Sequence, residues 1–172
     1  SDPRVEPVNG RWRCVGDPTE GALLVLARKG GVERQDMERR MPRLREFPFE
    51  SARQRMSTVH HLASGAYEVL AKGSPEAILP LCRGLGNGAP LDEAARAGIM
   101  AEVDGLAQQG LRVLAFARRE MAPGKLPETA AEAELDMGVA GLVGMADPVR
   151  PEVPDAIDKA RAAGIRIVMI TG

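Results

Sequence analysis

The segment FPFESARQRMSTVHHLASGAYEVLAKGSPE, Phe47 to Glu76, organises the chain. Met56 to Leu62 and Tyr67 to Ala71 are strand-like runs joined through Ala63, Ser64 and Gly65, a length and composition that suit a hairpin. Irregular backbone is expected at its two ends, from Pro48 on one side and from Gly73 with Pro75 on the other. One end carries Phe47 and Phe49, the other Lys72. An aromatic ring suits base stacking and a lysine suits phosphate, although either phenylalanine can equally serve as core filler.

Beyond the hairpin, Ser74 as N-cap and Pro75 at the first helical position begin a helix expected to reach Cys82. Lys72 then leaves a strand end beside a helix N-terminus, a setting that favours anions. His60 and His61 are adjacent on a strand, so their side chains point to opposite faces and do not share a metal ion.

Toward the N-terminus, Glu33 to Met41 reads as a charged helix, and Pro42 separates it from a strand-like Arg43 to Phe47. Its arginines are interleaved with Glu33, Asp36, Glu38 and Glu46, the pattern of a solvated face. Further upstream, GDPTE at Gly16 to Glu20 is a helix start, with Asp17 as N-cap and Pro18 behind it, and the helix should run to Lys29 before Gly30 and Gly31. Glu20 has two uses here. It can close a capping box on the Asp17 amide, or accept a hydrogen bond from the amine of a ligand. Trp12 to Val15 is a short strand candidate, and Ser1 to Arg11 reads as a leading loop.

Toward the C-terminus, Arg83 to Pro90 is glycine-rich and reads as a loop, and Asp92 to Gln109 is an amphipathic helix with Ile99, Val103 and Leu106 on its apolar face. Leu111 to Arg118 suits a strand on which Arg112, Leu114 and Phe116 share one face and Val113 and Ala115 the other. Arg112 is an edge charge or a ligand contact. Met121 to Asp136 reads as a surface insertion, a loop with a short helix. From Gly138 onward, a strand, a helix over Arg150 to Ala163 and a second strand over Ile165 to Ile170 predict a parallel βαβ piece. Ligands of such units bind outside the carboxyl ends of the strands, where Asp147 and Thr171 fall; the plainer reading is a turn cap and a strand end.

At 172 residues, 44% hydrophobic and 27% charged, the chain can bury a core as one domain with part of a second. A formal net charge of -1 removes the usual reason to propose nucleic acid as a partner. The apolar runs are too short to cross a bilayer and no signal peptide opens the chain, so it is expected to be soluble and monomeric by itself. Cys14 and Cys82 give neither a metal-ligand spacing nor a disulfide framework, and no metal site is expected.

Five separated segments, GDPTEGALL (Gly16 to Leu24), FPFESARQRMSTV (Phe47 to Val59), AKGSPEAIL (Ala71 to Leu79), LRVLAFARR (Leu111 to Arg119) and GLVGMADPVRPEVPDAIDKARAAGIRIVMITG (Gly141 to Gly172), follow one another in a family's order. Together they resemble the nucleotide-binding domain of a P-type cation-transporting ATPase, nearest the calcium-pump-like branch. The resemblance implies a mixed α+β fold: a twisted, mainly antiparallel sheet flanked by helices, residues 1–137, with residues 138–172 returning into a haloacid-dehalogenase-like phosphorylation domain. It also implies ATP as ligand, with Phe49 stacking on adenine, Glu20 at the adenine edge, Lys72 and Gly73 lining the pocket, Arg112 reaching toward ribose or phosphate, and Met56 and Leu114 as apolar walls.

Asp147, Arg150, Thr171 and Gly172 resemble the hinge and phosphate-side motifs, which act only with the phosphorylated aspartate and magnesium of the full-length pump. The DKTGT and GDGxND motifs and the membrane helices are not in this sequence. The chain is therefore expected to bind ATP without turning it over, as a cytoplasmic domain whose partners are the phosphorylation, actuator and transmembrane domains of the same pump. Gln54 stands where related pumps often carry a basic residue, flanked here by Arg53 and Arg55. The alternatives are a haloacid-dehalogenase-like phosphatase fragment and a non-catalytic interaction module.

Overall fold

The structure is a computed structural model and describes residues 3–8, 11–146 and 152–168. The chain begins with β1 (Arg4–Val8), β2 (Arg11–Val15), α1 (Pro18–Lys29), α2 (Arg34–Arg40), β3 (Arg43–Glu50), β4 (Arg55–His61) and β5 (Tyr67–Gly73). It continues through α3 (Pro75–Ile78), β6 (Cys82–Leu85), α4 (Glu93–Gln108), β7 (Arg112–Met121), α5 (Ala130–Ala133), β8 (Met137–Met145) and α6 (Val153–Ala162). Strands β3 to β8 form one six-stranded sheet in the order β3-β4-β5-β7-β8-β6, while β1 and β2 pair in a separate ribbon. This is the mixed α+β, mainly antiparallel fold that the sequence predicts.

The β4–β5 hairpin forms because its apolar residues alternate: Val59 lies against Val69 and Ser57 against Ala71, so one face of each strand is buried. That face continues through Ala115 and Ala117 of β7 and packs on Ile78, Leu79 and Met137. Each fully buried aliphatic side chain of this core, such as Ile78 or Val59, contributes about 1.5–3 kcal/mol. Helices α3, α4 and α5 cover this side, touching β5, β7, β8 and β4. Small residues at Ala71, Ala115 and Ala117 let those helices lie close to the sheet, which is how a core with so few aromatics is filled.

Pro48 sits within β3, at the edge of the sheet, where the missing N–H breaks no ladder on a second side. The register slips between Phe47 and Glu50, so the irregularity expected at Pro48 is a bulge within the strand and not its end. Pro80 shortens the helix after Ser74: α3 stops at Ile78 and a single 3-10 turn, Leu79–Leu81, follows.

Four sequence expectations need correction. The leading loop is in part β1, paired in register with β2 from Arg4 opposite Val15 to Val8 opposite Arg11; a proline within an outer strand does not prevent pairing. Where Arg83 to Pro90 reads as a loop, β6 (Cys82–Leu85) adds an edge strand to the sheet through parallel bonds to β8; it is four residues long and holds a glycine, Gly84. The sheet's parallel pair is therefore β6–β8. The expected βαβ partner of β8 is not formed in the described part of the C-terminal segment: residues 165–168 are outside any strand, with Ile165, Ile167 and Val168 exposed. β8 is already paired on both sides, by β7 and β6. Finally, Met121 to Asp136 is not merely surface, since Ala133 and Glu134 are both buried.

Candidate nucleotide site

The face of the sheet away from α3 and α4 looks toward α1 and α2 across a cavity of about 400 Å³. That is within the range of pockets that take small ligands. Register alone assembles its floor. Met56 of β4 lies opposite Lys72 of β5, and Lys72 lies opposite Phe116 of β7. Directly opposed residues share a face, so one row places an ammonium group between a thioether and an aromatic ring, and all three line the cavity. Leu114 and Arg112 follow Phe116 at intervals of two along β7, on the same face but farther along the strand and outside the cavity lining.

The roof comes from α1. Asp17 caps it, its Oδ1 accepting from the Glu20 amide at 3.0 Å. That hydrogen bond holds the Asp17 carboxyl below its ordinary pKa. Gly21 lets the helix sit tightly on β2, since a Cβ there would lie 2.1 Å from Cys14 Sγ. These contacts fix where Glu20 emerges. Its carboxylate does not return to the Asp17 amide as a capping box would require; Oε1 accepts from Lys72 Nζ at 2.7 Å. The lysine reaches the acid because it projects from the central row of the sheet while Glu20 sits in the first turn of the helix above it. Their side chains are 22% and 34% exposed respectively, so the pair is partly desolvated yet open to solvent. Leu23 and Leu24 of α1 and Met37 of α2 supply apolar wall.

His60 also lines the cavity, with both ring nitrogens engaged: Nδ1 with the Met41 carbonyl at 3.0 Å and Nε2 with Thr58 Oγ1 at 2.9 Å. It is a bracing residue between β4 and the end of α2. His61 points elsewhere, edge-on to Tyr67. Among the described residues no group of His, Cys, Asp or Glu is arranged to hold a metal ion.

The two phenylalanines of the FPF motif separate. Phe47 packs against the core, whereas Phe49 is 60% exposed and lies outside the cavity lining. Gly73 is set by packing, because a Cβ there would come 2.5 Å from the Gln54 carbonyl oxygen and 2.6 Å from Arg55 Cβ. Gln54 itself takes a left-handed backbone, φ 51°, in the β3–β4 turn; its carbonyl accepts from the Ser74 amide at 3.1 Å and its Oε1 from Ser74 Oγ at 3.4 Å. It is a turn residue that ties the two ends of the hairpin.

Of the sequence candidates, the structure thus gathers Glu20, Met56 and Lys72 into one cavity, adds Phe116, and leaves Phe49, Gly73, Arg112 and Leu114 outside its lining. Phe116 was legible as a face-mate of Leu114 and Arg112, but only the β5–β7 register puts it beside Lys72. Asp147, Arg150, Thr171 and Gly172 lie outside the described residues. Cys14 and Cys82 are free thiols, the first exposed and the second buried, where desolvation pushes its pKa up to about 11.

Comparison with known proteins places these features in a family. The family described as "P-type ATPase, cytoplasmic domain N" matches residues 2–152. The chain is 38% identical over 171 residues to a calcium-transporting ATPase of Bacillus subtilis, covering 98% of this chain and 19% of that protein. It is 39% identical over 176 residues to a cation-transporting ATPase of Synechocystis, covering 100% of this chain and 19% of the relative. To a sodium/potassium exporting P-type ATPase of Schizosaccharomyces pombe it is 38% identical over 167 residues, covering 95% and 16%. The chain therefore spans less than a fifth of the length of these relatives. Among the described residues no helix is long and apolar enough to cross a membrane.

Proposed function

The chain belongs to the P-type ATPase family, in the part described as cytoplasmic domain N, and from that premise we propose that it binds ATP over the Met56–Lys72–Phe116 row as part of a cation-transporting pump. The observation that carries the reading is the Glu20–Lys72 pair at 2.7 Å, an acceptor and a cation presented together in an apolar cavity. Adenine needs a flat apolar surface and an acceptor for its exocyclic amine; the triphosphate needs positive charge. In this proposal Glu20 accepts from the amine, and Phe49, exposed on the neighbouring edge strand, stacks on the base. Met56 and Leu114 are walls, Gly73 keeps the lysine turn close, and Arg112 reaches toward ribose or phosphate.

Whole-pump activity follows the same proposal. The parent hydrolyses ATP to move a cation, with calcium favoured by the branch resemblance. Magnesium and the phosphorylated aspartate belong to its phosphorylation domain, and the actuator and transmembrane domains are its other partners. Within the chain, residues 1–137 and the strand that completes their sheet bind nucleotide, and the remaining residues lead into the phosphorylation domain, where Asp147, Arg150, Thr171 and Gly172 act. The isolated chain binds ATP without turnover.

Lys72 gives the test. Lys72→Ala is expected to weaken ATP more than adenosine in calorimetric titrations, because the lost charge faces phosphate. Equal losses for both ligands, with the fold intact, would assign Lys72 to wall packing instead.

A further inference from the structure

The core side of the sheet carries a buried ionic cluster for which ATP binding gives no direct use. Glu134, the residue that ends α5, is 2% exposed. Its Oε1 accepts from Arg53 Nη1 at 2.9 Å and from Ser57 Oγ at 2.8 Å, and its Oε2 accepts from Arg55 Nε at 2.7 Å. All three donors come from the FPFESARQRMSTV segment, about 80 residues earlier in the chain.

What matters is which residues these donors flank. Arg55 and Ser57 are the two neighbours of Met56, so Glu134 grips β4 on both sides of the methionine while the methionine itself faces the cavity. Arg53 extends the grip to the other apolar candidate. Its Nη2 donates to the Pro48 carbonyl at 3.0 Å and to Glu50 Oε1 at 3.2 Å, the residues on either side of Phe49. Phe49 is 60% exposed, so packing covers only part of the ring and leaves the strand backbone to set its direction. A planar guanidinium satisfies both directions at once, one nitrogen toward Glu134 and one toward the strand.

From this arrangement we infer that Glu134, through Arg53, Arg55 and Ser57, is a positioning residue that sets Phe49 and Met56 from behind the sheet, and so determines how tightly the adenine base is held. The inference rests on the nucleotide reading above. It assigns to α5 and its following residue a part in ligand binding that no contact with ligand would reveal.

The test uses the 172-residue chain with and without ATP. In the unliganded protein, NMR of the Phe49 amide and ring and of a labelled Met56 methyl is expected to report Arg53→Lys at Phe49 alone and Glu134→Gln at both. Lysine keeps the charge but offers no fork, so it does not hold Glu134 and the Pro48 carbonyl together. For ATP, Arg53→Lys is expected to weaken binding on the order of threefold to tenfold, and by less than about twofold once Phe49→Ala is already present, because the arginine acts through that ring. Equal losses in the two backgrounds, or unmoved Phe49 and Met56 resonances in Glu134→Gln, would overturn the inference. Should Glu134→Gln not fold, Arg53→Lys decides alone. If the unsubstituted chain binds no ATP, the nucleotide reading fails, and unmoved or moved resonances in the unliganded variants still decide the positioning separately.

Discussion

Lys72 is a cation paired with the Glu20 carboxylate on the floor of an apolar cavity, and its charge is available to an incoming anion at the cost of one exchangeable ion pair. Phe49 is the complementary case, a large ring left exposed beside a strand bulge. Phe49→Ala is expected to cost about 1–3 kcal/mol of ATP affinity, on the scale of base–aromatic stacking, with little change in stability. Calorimetry and a urea melt check the two halves of that statement. Gly73 behaves in the opposite way. Gly73→Ala would drive a methyl into backbone at Gln54 and Arg55 and should lower stability by about 1–3 kcal/mol in the same melt. The sequence singles out Glu20, Phe49, Met56, Lys72 and Gly73 because each lies in a segment with a marked local pattern, and of these the structure gathers Glu20, Met56 and Lys72 into one cavity. What it did not carry was the pairing: whether Glu20 turns to its own cap or to Lys72 depends on how α1 sits over β5, which no local pattern encodes.

Among the elements, α1 bears most directly on the site, because its first turn carries Glu20. Asp17→Ala is expected to destabilise the protein by about 0.5–2 kcal/mol, the usual worth of a lost N-cap, and to weaken ATP binding as the first turn frays. The folded-state pKa of Asp17 lies below its ordinary 3.8, so the cap's contribution is complete above that value and is lost as pH falls through the lowered one. A Tm series from neutral to acid pH should therefore show a smaller acid-induced drop in the variant than in the unsubstituted chain. The β4–β5 hairpin, α4 and β7 were legible because a buried face imposes its period on the sequence, and α1 because GDPTE marks its start. Strands β1 and β6 were not, being short and each interrupted by a proline or a glycine, and the pairing of β6 is supplied by β8, far along the chain. Residues 165–168 failed in the other direction: an apolar run reads as a strand, but a strand also needs a free edge, and β8 has none to offer.

Across the whole molecule, the sheet order explains why the site is built from segments so distant in sequence. β7 enters between β5 and β8, bringing Phe116 beside Lys72, and α5 returns to the rear of β4, bringing Glu134 behind Met56. One face of a single sheet holds the cavity and the other holds the core, so the site's walls and the fold's stability are coupled through the same strands. The family order of motifs made the fold class legible before any pairing was known; the cavity's membership was not, because it is decided by register. The most direct test is a two-dimensional amide NMR titration of the chain with ATP to millimolar concentration. Saturable shifts concentrated at Glu20, Phe49, Met56, Lys72 and Phe116 are the predicted result. No shift across that range, or shifts confined to the opposite face around Ile78 and Val103, would contradict a nucleotide site on this face of the sheet.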